Sequence, residues 1–188
     1  IGLLGLNELI QIHLGKQLHE SGEAMAFGLK VVAYLKEKAD QLSRDHGLRI
    51  ILEQSPAETT AYRFAKLDLR YFSPEAGRIV KGDLSKGEIF YTNSTDLNVS
   101  SIHPPLERLR LEGTFHPFFG GGAISHLWLG ETGPSGTTLA ELVVQVYLKS
   151  TCRVGTFSPE FTICPVCRSI RRGLQQKGDT CNADAVAS

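Results

Sequence analysis

The sequence has no excess of charge of either sign and no long hydrophobic run. Its 20 Lys and Arg residues balance 20 Asp and Glu residues, so the composition gives no reason to expect attraction to nucleic acid or to an anionic membrane. The longest apolar stretches, residues 1–6 and 142–148, fall far short of the ~20 residues that span a bilayer. No charged and then apolar leader precedes the first expected helix. We therefore expect a soluble, cytoplasmic protein.

Cysteine and methionine are scarce, with 4 and 1 residues among 188. Three of the cysteines are bunched near the end of the sequence, which does not match a secreted disulfide framework and favours reduced thiols that hold a metal. The chain opens on Ile1 rather than Met and stops in small residues shortly after Cys181. We expect both ends to be cut from a longer protein.

Hydrophobic periodicity predicts helices that alternate with strands. With 41% hydrophobic residues, the chain can bury one core, so one domain is the default expectation. The expected strands are 48–52, 88–92, 123–129 and 152–157. The expected helices are 7–19, 24–46, 59–69 and one that begins near Thr138, with Glu141 completing a capping box. Residues 71–105 are expected to be irregular and to carry functional loops. This alternation predicts an α/β fold with parallel strand pairing.

The loop from Gln54 to Thr60 lies between an expected strand and an expected helix. Free backbone N–H groups and the positive end of the helix dipole would face outward there, as at phosphate sites. Thr59 and Thr60 could add hydroxyl donors, whereas Glu58 has the wrong charge for direct contact and would cap the helix or act through a cation. On the local pattern alone, ordinary capping by Thr59 and Glu58 is favoured over phosphate binding.

The cysteine cluster is the strongest local signal. Cys164 and Cys167 are separated by Pro-Val, and Cys181 follows after a gap, which approximates the spacing of a structural tetrathiolate zinc site. Asp184 takes the place of a fourth cysteine and could supply an oxygen, so we expect a weaker or partly occupied site. Free surface thiols are the alternative. Cys152 stands apart and is expected to be a small buried apolar residue in a strand.

Two further motifs can each be interpreted in two ways. The run from Thr114 to Gly122 places His116 beside aromatic residues and three glycines, which permits close approach of the backbone to a ligand or to another strand. Neither His116 nor His126 is assigned a role. The segment from Tyr91 to Ser94 suits a binding loop or an Asx-type turn, and the turn is favoured.

Taken in order, several motifs resemble the C-terminal portion of anaerobic (class III) ribonucleoside-triphosphate reductases, over nearly the whole chain. Separate motifs in the right order are more specific than any one of them. They are Ile1 to Glu8, Pro56 to Arg63, Tyr91 to Ser94, Phe115 to Phe119, Gly121 to Glu131 and the Cys164 knuckle.

This resemblance implies a glycyl-radical enzyme that reduces ribonucleoside triphosphates to deoxyribonucleotides on a ten-stranded α/β barrel. Formate would be the reductant, a radical-SAM enzyme the activator, and a homodimer the assembly. Residues 1–160 would form the later half of the barrel, and residues 161–188 an incomplete zinc knuckle.

The resemblance also implies site residues. The substrate phosphates would bind at Pro56, Ala57, Glu58, Thr59 and Thr60, which reverses the preference for simple capping. Zinc would bind Cys164, Cys167 and Cys181, with Asp184 uncertain as the fourth ligand. The family's Arg-Val-x-Gly-Tyr-like radical segment does not occur here, since neither Gly173 nor Gly178 has those neighbours. No catalytic residue is assigned, and this chain by itself is predicted to be catalytically silent.

Two alternatives remain. The first is a non-catalytic nucleotide-binding or zinc-knuckle module that contacts nucleic acid through a basic cluster, although the neutral overall charge favours a solvated surface and no nucleic-acid partner. That cluster is Arg168, Arg171, Arg172 and Lys177. The second is another kind of glycyl-radical enzyme, which would not be expected to combine the Pro56 loop with the motif at Tyr91.

Overall fold

The computed structural model describes residues 1–130, 133–159, 161–172, 181 and 186–187. The helices among these residues are α1 (Leu6–Leu14), α2 (Gly22–His46), α3 (Glu58–Tyr71), α4 (Pro105–Gly113) and α5 (Gly136–Lys149). The strands are β1 (Lys81–Asp83), β2 (Glu88–Phe90), β3 (Ser125–Trp128), β4 (Gly155–Ser158), β5 (Phe161–Ile163), β6 (Ile170–Arg172) and β7 (Val186–Ala187). Two short 3₁₀ turns lie at Ala76–Arg78 and His116–Phe118.

Strands β3 and β4 pair in parallel, with Ser125 opposite Gly155 and Trp128 opposite Ser158. Helix α5 lies between them in sequence, as a parallel pair requires. This arrangement confirms the predicted α/β character and the parallel pairing. The other described strands form an antiparallel β1–β2 hairpin and a three-stranded sheet in the order β6-β5-β7. The later half of a ten-stranded barrel stays a prediction.

The main core lies between α1, α2 and the segments that carry the candidate site. Helix α2 buries Ala24, Gly28, Val32 and Ala39 on one face, at the three- and four-residue spacing of an amphipathic helix. The loop after α1 packs closely against this face and leaves no room for a larger residue at Gly28. A Cβ there would lie 2.8 Å from Leu18 Cδ1. The same core contains Leu97, Phe115 and Phe119, so the loops that carry these residues rest on a packed support.

Helix α3 is held by a second, smaller cluster. Its Ala65 packs against Val80 and Ile89 of the β1–β2 region. Small residues on this face bring the helix close to the hairpin, which fixes the direction of its N-terminus.

Several element boundaries differ from the predictions. Helix α1 ends at Leu14 rather than near residue 19, because Gly15 adopts a left-handed conformation (φ 68°) and its N–H bonds Gln11 O. Residues 48–52 form no strand; this segment is extended and reaches a single parallel bridge between Gly2 and Glu53. The predicted end of α2 is confirmed, with Gly47 at its C-terminus (φ 62°).

Two further predictions were wrong, namely the residue that caps α5 and the position of Cys152 within a strand. Helix α4 was not predicted. Helix α5 begins at Gly136 and is capped by the Ser135 hydroxyl, which accepts a bond from Thr138 N–H at 3.1 Å, so the capping box of Thr138 and Glu141 is incorrect. Cys152 precedes strand β4 and is half-buried. Helix α4 begins at Pro105, where the expected irregular segment ends, and no element was predicted for the residues after it; Pro105 is tolerated because it occupies the first helical turn.

None of the described helices combines the length and the apolar character needed to cross a bilayer.

Candidate functional site

A cavity of about 380 Å³ lies where four parts of the fold meet. The loop before α3 forms one wall, the loop after β2 forms the second, α4 contributes the inner end, and β3 forms the last wall. The lining residues are Gln54, Ser55, Pro56, Glu58, Thr92, Asn93, Asp96, Leu97, Val99, Arg108, Glu112, Ile124, His126 and Trp128.

The proposed phosphate loop borders this cavity through Pro56 and Glu58. Helix α3 begins at Glu58, with Ala57 as its N-cap residue and no side chain capping that end. The capping by Thr59 and Glu58 that the local pattern favoured is therefore wrong. Glu58 instead accepts a hydrogen bond from Asn93 Nδ2 at 3.2 Å, and Thr59 is exposed. The first N–H groups of α3 thus lack a side-chain acceptor at the position where the helix dipole favours an anion.

Gln54 holds the loop against the glycine run. Its backbone N–H donates to Gly122 O at 3.0 Å, and its side-chain oxygen accepts from Ile124 N–H at 2.8 Å. Beside it, Gly121 N–H donates to Leu52 O at 2.9 Å. A Cβ at Gly121 would lie only 3.1 Å from that same carbonyl oxygen. At Gly121, the close approach expected of the glycine run is therefore made to another backbone segment.

Two acidic residues and one arginine line the inner end of the cavity. The Glu112 carboxylate is buried, accepts from Leu97 N–H at 3.2 Å and pairs with Arg108 Nε at 3.1 Å. Burial raises the pKa of Glu112, and the Arg108 charge opposes that rise. Asp96, which accepts a hydrogen bond from the Gln54 side chain, has its pKa raised well above the ordinary value by burial and then by the neighbouring Glu112 charge.

None of these three residues was predicted from the sequence to belong to a site. Arg108 and Glu112 are four positions apart, a spacing that places both on one face of a helix, but the pattern resembles an ordinary surface ion pair. In the folded chain both side chains are buried and bond the backbone of Leu97, which accepts from Arg108 and donates to Glu112. The pair of Arg108 and Glu112 could have been found from the sequence only if α4 had been predicted as a helix.

The two unassigned histidines have different roles. His116 is fully buried, and its Nε2 lies 3.2 Å from Ser125 Oγ, while its Nδ1 accepts from Arg153 N–H at 3.0 Å. Burial, followed by the Arg153 charge, lowers the pKa of His116 to about 4, so the ring is neutral at physiological pH and structural. His126 is exposed and stacks on Trp128 at the mouth of the cavity, with ring centroids 6.5 Å apart.

The segment after β2 forms a turn that also lines the cavity, but it is closed by backbone groups rather than by the Asn93 side chain of the predicted Asx-type turn. Asp96 N–H donates to Asn93 O at 2.9 Å, and Ser94 has a positive φ of 42°. Leu6 N–H donates to Ser94 O at 3.1 Å, which ties the turn to α1. Thr92 and Asn93 therefore face the cavity from a fixed loop.

The three clustered cysteines come together at the turn between β5 and β6. Their sulfur atoms all lie within 4.8 Å of one another, and Cys164 Sγ is 3.2 Å from Cys181 Sγ. Tetrahedral zinc with Zn–S bonds of about 2.3 Å places sulfurs about 3.8 Å apart, so the three thiols are close enough together to bind one metal ion after small adjustments. A left-handed residue, Arg168 (φ 57°), closes the turn, and its N–H donates to Cys164 O at 2.8 Å.

The residues outside the described part of the chain include Asp184, the uncertain fourth zinc ligand, and Lys177 of the basic cluster. Of the basic cluster, Arg168 is exposed, and Arg171 and Arg172 belong to strand β6.

Comparison with known proteins identifies the family. A family model described as anaerobic ribonucleoside-triphosphate reductase matches residues 1–187. The chain belongs to this family. It is 30% identical over 127 residues to the anaerobic ribonucleoside-triphosphate reductase of Salmonella typhimurium, and 29% identical over 129 residues to that of Enterobacteria phage T4. These matches cover 67% and 69% of this chain but only 17% and 18% of the reductases.

Solved reductase structures share the fold. The anaerobic ribonucleotide reductase from Thermotoga maritima with glycerol in the active site aligns with a TM-score of 0.71 and 20% identity, covering 99% of this chain and 28% of that one. The same enzyme in complex with dATP and CTP aligns with a TM-score of 0.64 and 19% identity, covering 88% and 25%. The chain thus corresponds to about a quarter of these reductase chains.

Proposed function

We propose that the full-length protein is an anaerobic ribonucleotide reductase that converts ribonucleoside triphosphates to deoxyribonucleoside triphosphates by glycyl and thiyl radical chemistry. Family membership over residues 1–187 carries this proposal. By the same resemblance, formate would be the reductant, a radical-SAM enzyme the activator, a homodimer the assembly and the cytoplasm the location. Residues 1–160 would be part of a ten-stranded barrel, and residues 161–188 a zinc knuckle.

Within this chain, we propose that Pro56, Ala57, Glu58, Thr59 and Thr60 bind the substrate phosphates. The support is local: the N-terminus of α3 has no side-chain cap, and the loop before it borders the cavity. An anion there would accept bonds from the free N–H groups and would interact favourably with the helix dipole. The Glu58 carboxylate is held toward Asn93 and would face a cation accompanying the triphosphate.

Substitution of the two threonines tests this assignment in the full-length protein. Thr59→Ala and Thr60→Ala should each weaken triphosphate binding by about 1 kcal/mol, or about fivefold, because each removes one hydroxyl donor. The measurement is isothermal calorimetry with inorganic tripolyphosphate. Thr137→Ala is a matched control, because Thr137 is exposed and occupies the second position of α5 as Thr59 does in α3. Equal affinity in all the proteins would contradict the phosphate assignment.

We also propose that Cys164, Cys167 and Cys181 bind zinc, with the fourth ligand outside the described residues. The mutual distances of the sulfurs support this. Bound zinc would fix the turn between β5 and β6 and would contribute to folding of this segment.

Elemental analysis of the purified protein tests the zinc assignment. Wild-type protein should contain about one zinc ion per chain, and Cys164→Ser or Cys167→Ser should remove most of it because a closed site needs all its ligands. Cys152→Ser is the control, since Cys152 lies outside the cluster that the other three form. Zinc content near zero in the wild type, or unchanged in the two knuckle variants, would exclude the site.

A further inference from the structure

A pair of histidines joins the loop after α1 to the segment before α4. The rings of His19 and His103 meet edge to face, with their centroids 5.3 Å apart and their planes at 90°. Both side chains are half-buried. The Nδ1 atom of each ring is buried and has no hydrogen-bond partner among the described residues. Neither histidine lines the cavity of the candidate site or belongs to the cysteine cluster.

The chain near both histidines is held in place. In the loop after α1, Leu18 is fully buried, and its N–H donates to Asn7 Oδ1 at 2.9 Å. The side-chain oxygen of Gln17 accepts a hydrogen bond from Asn98 Nδ2 at 2.9 Å. This amide pair connects the same two segments, so the histidine pair is a second side-chain link between them.

A protonated ring would fit this place poorly. A neutral imidazole can leave one nitrogen without a proton, whereas the charged form carries a proton on both nitrogens. Protonation of either histidine would therefore place an N–H donor at a buried Nδ1 atom that has no acceptor, which costs free energy. His19 also lines a largely apolar cavity of about 330 Å³ between its own loop, α2 and α4, where a charge is poorly solvated.

Most of the charged groups that act on His19 are cations. Besides His103, they are Arg108 of α4, Lys81 of β1 and Glu20 of its own loop. Glu20 favours the charged ring, but its carboxylate also accepts from the Gln17 N–H at 2.7 Å. Burial lowers the pKa of His19, and repulsion from a charged His103 and from the other two cations lowers it further. His19 is therefore neutral at physiological pH.

We propose that the contact between His19 and His103 is a pH-sensitive latch, closed while both rings are neutral and opened when one of them is protonated. Opening removes the unpaired donor from its buried position and moves the new charge away from the two permanent cations. The open form thus binds more protons than the closed form. Closure is complete above the ordinary histidine pKa of 6.5 and is lost as pH falls through the lowered pKa of His19.

The latch would act on the start of α4. Arg108 donates to Leu97 O at 2.8 Å and to Ser101 Oγ at 3.2 Å, within the segment that His103 fastens to the loop after α1. Opening would therefore loosen residues 98–103 and weaken the support of Arg108. Acid would in this way act on one wall of the cavity from outside it.

Amide hydrogen exchange of the full-length protein, corrected for its intrinsic pH dependence, tests the latch. The pH should be lowered from about 8 to about 5, the range in which histidine changes its charge. In the wild type, the opening constants of residues 15–20 and 98–103 should rise together below pH 6.5. The rise should reach at most about tenfold per pH unit for each proton that the open form gains.

A double phenylalanine variant separates ring contact from protonation. His19→Phe combined with His103→Phe keeps an edge-to-face pair of rings but cannot take up a proton, so exchange in both segments should stay slow at about pH 5. His46→Gln is the control, because His46 is exposed at the end of α2. It should show the pH dependence of the wild type.

The wild type alone can refute the proposal. If neither segment exchanges faster below pH 6.5, the histidine pair is not a latch. Acceleration that is equally steep in the double phenylalanine variant belongs to other groups and also overturns it. If that variant does not fold, His19→Gln answers the same question: its pH profile should be shallower than that of the wild type, and an equally steep profile contradicts the proposal.

Discussion

At the scale of single residues, Asp96 shows how position changes chemistry. Its carboxyl group is an ordinary acid in the sequence, but in the fold it lies beside Gln54 and near Glu112. Burial and the like charge both favour the protonated form, and Arg108 opposes them only in part. The raised pKa therefore belongs to the assembled cavity.

This raised pKa predicts how stability depends on pH. Between the ordinary and the raised pKa, folded Asp96 holds a proton that the unfolded chain releases. The stabilisation that this bound proton gives to the folded state is therefore complete below the ordinary carboxyl pKa. It is lost as pH rises through the raised pKa of the folded state. Asp96→Asn should make the fall in local stability shallower as pH rises above the ordinary carboxyl pKa. Amide hydrogen exchange of residues 91–116, corrected for its intrinsic pH dependence, measures this.

Asp45→Asn provides the comparison for this measurement. Asp45 is exposed on α2, so its substitution should leave the pH dependence of exchange unchanged. If Asp96→Asn and Asp45→Asn give the same profile as the wild type, the ionisation of Asp96 does not affect the stability of this region.

At the scale of elements, the ends of the helices were the least predictable features. Thr138 and Glu141 have the spacing of a capping box, but Ser135, three residues earlier, caps α5. Both Ser135 and Thr138 are residue types that favour the N-cap position, so local preference does not choose between them. Helix α4 was not predicted, although the prolines at its start, Pro104 and Pro105, are compatible with a helix N-terminus.

The cap of α5 can be tested directly. Ser135→Ala should destabilise the first turn of α5 by about 1 kcal/mol, because the Thr138 N–H loses its acceptor. Amide hydrogen exchange should therefore be faster over residues 136–140. Glu141→Ala is the matched control, which would speed that exchange through loss of a cap only if the predicted capping box were formed. A larger effect of Glu141→Ala than of Ser135→Ala would restore the capping box.

At the scale of the whole molecule, the sheet of β5, β6 and β7 and the elements around the cavity pack against different partners. Among the described residues, β5 makes its principal contacts with β6 and β7, whereas α4 packs on β3 and α5. A metal at the three cysteines would therefore hold one part of the chain with little effect on the other.

Removal of zinc from the full-length protein tests this separation. A chelator should accelerate amide exchange over residues 161–172, since the thiolate ligands would no longer be joined. Exchange over residues 105–128 should stay as it was. Acceleration of both regions by similar factors would show that they unfold together and would contradict the division near residue 160.

The sequence by itself determined the features that depend on local pattern or on motif order. It gave the α2 helix with its end at Gly47, the start of α3 near Glu58, the parallel α/β character, the cysteine cluster and the family. Hydrophobic periodicity and glycine at helix ends act over a few residues, so they can be read without the fold.

Only the tertiary structure decided which side chains share the cavity. Gln54, Asp96 and Glu112 come from three separate segments, and nothing in their immediate neighbours indicates that they meet. The raised pKa values of Asp96 and Glu112 arise because the elements that meet at the cavity, α4 and β3 among them, withdraw the two carboxyl groups from water. Electrostatic properties of this kind depend on distances across the fold and on exclusion of water, which a one-dimensional sequence does not specify.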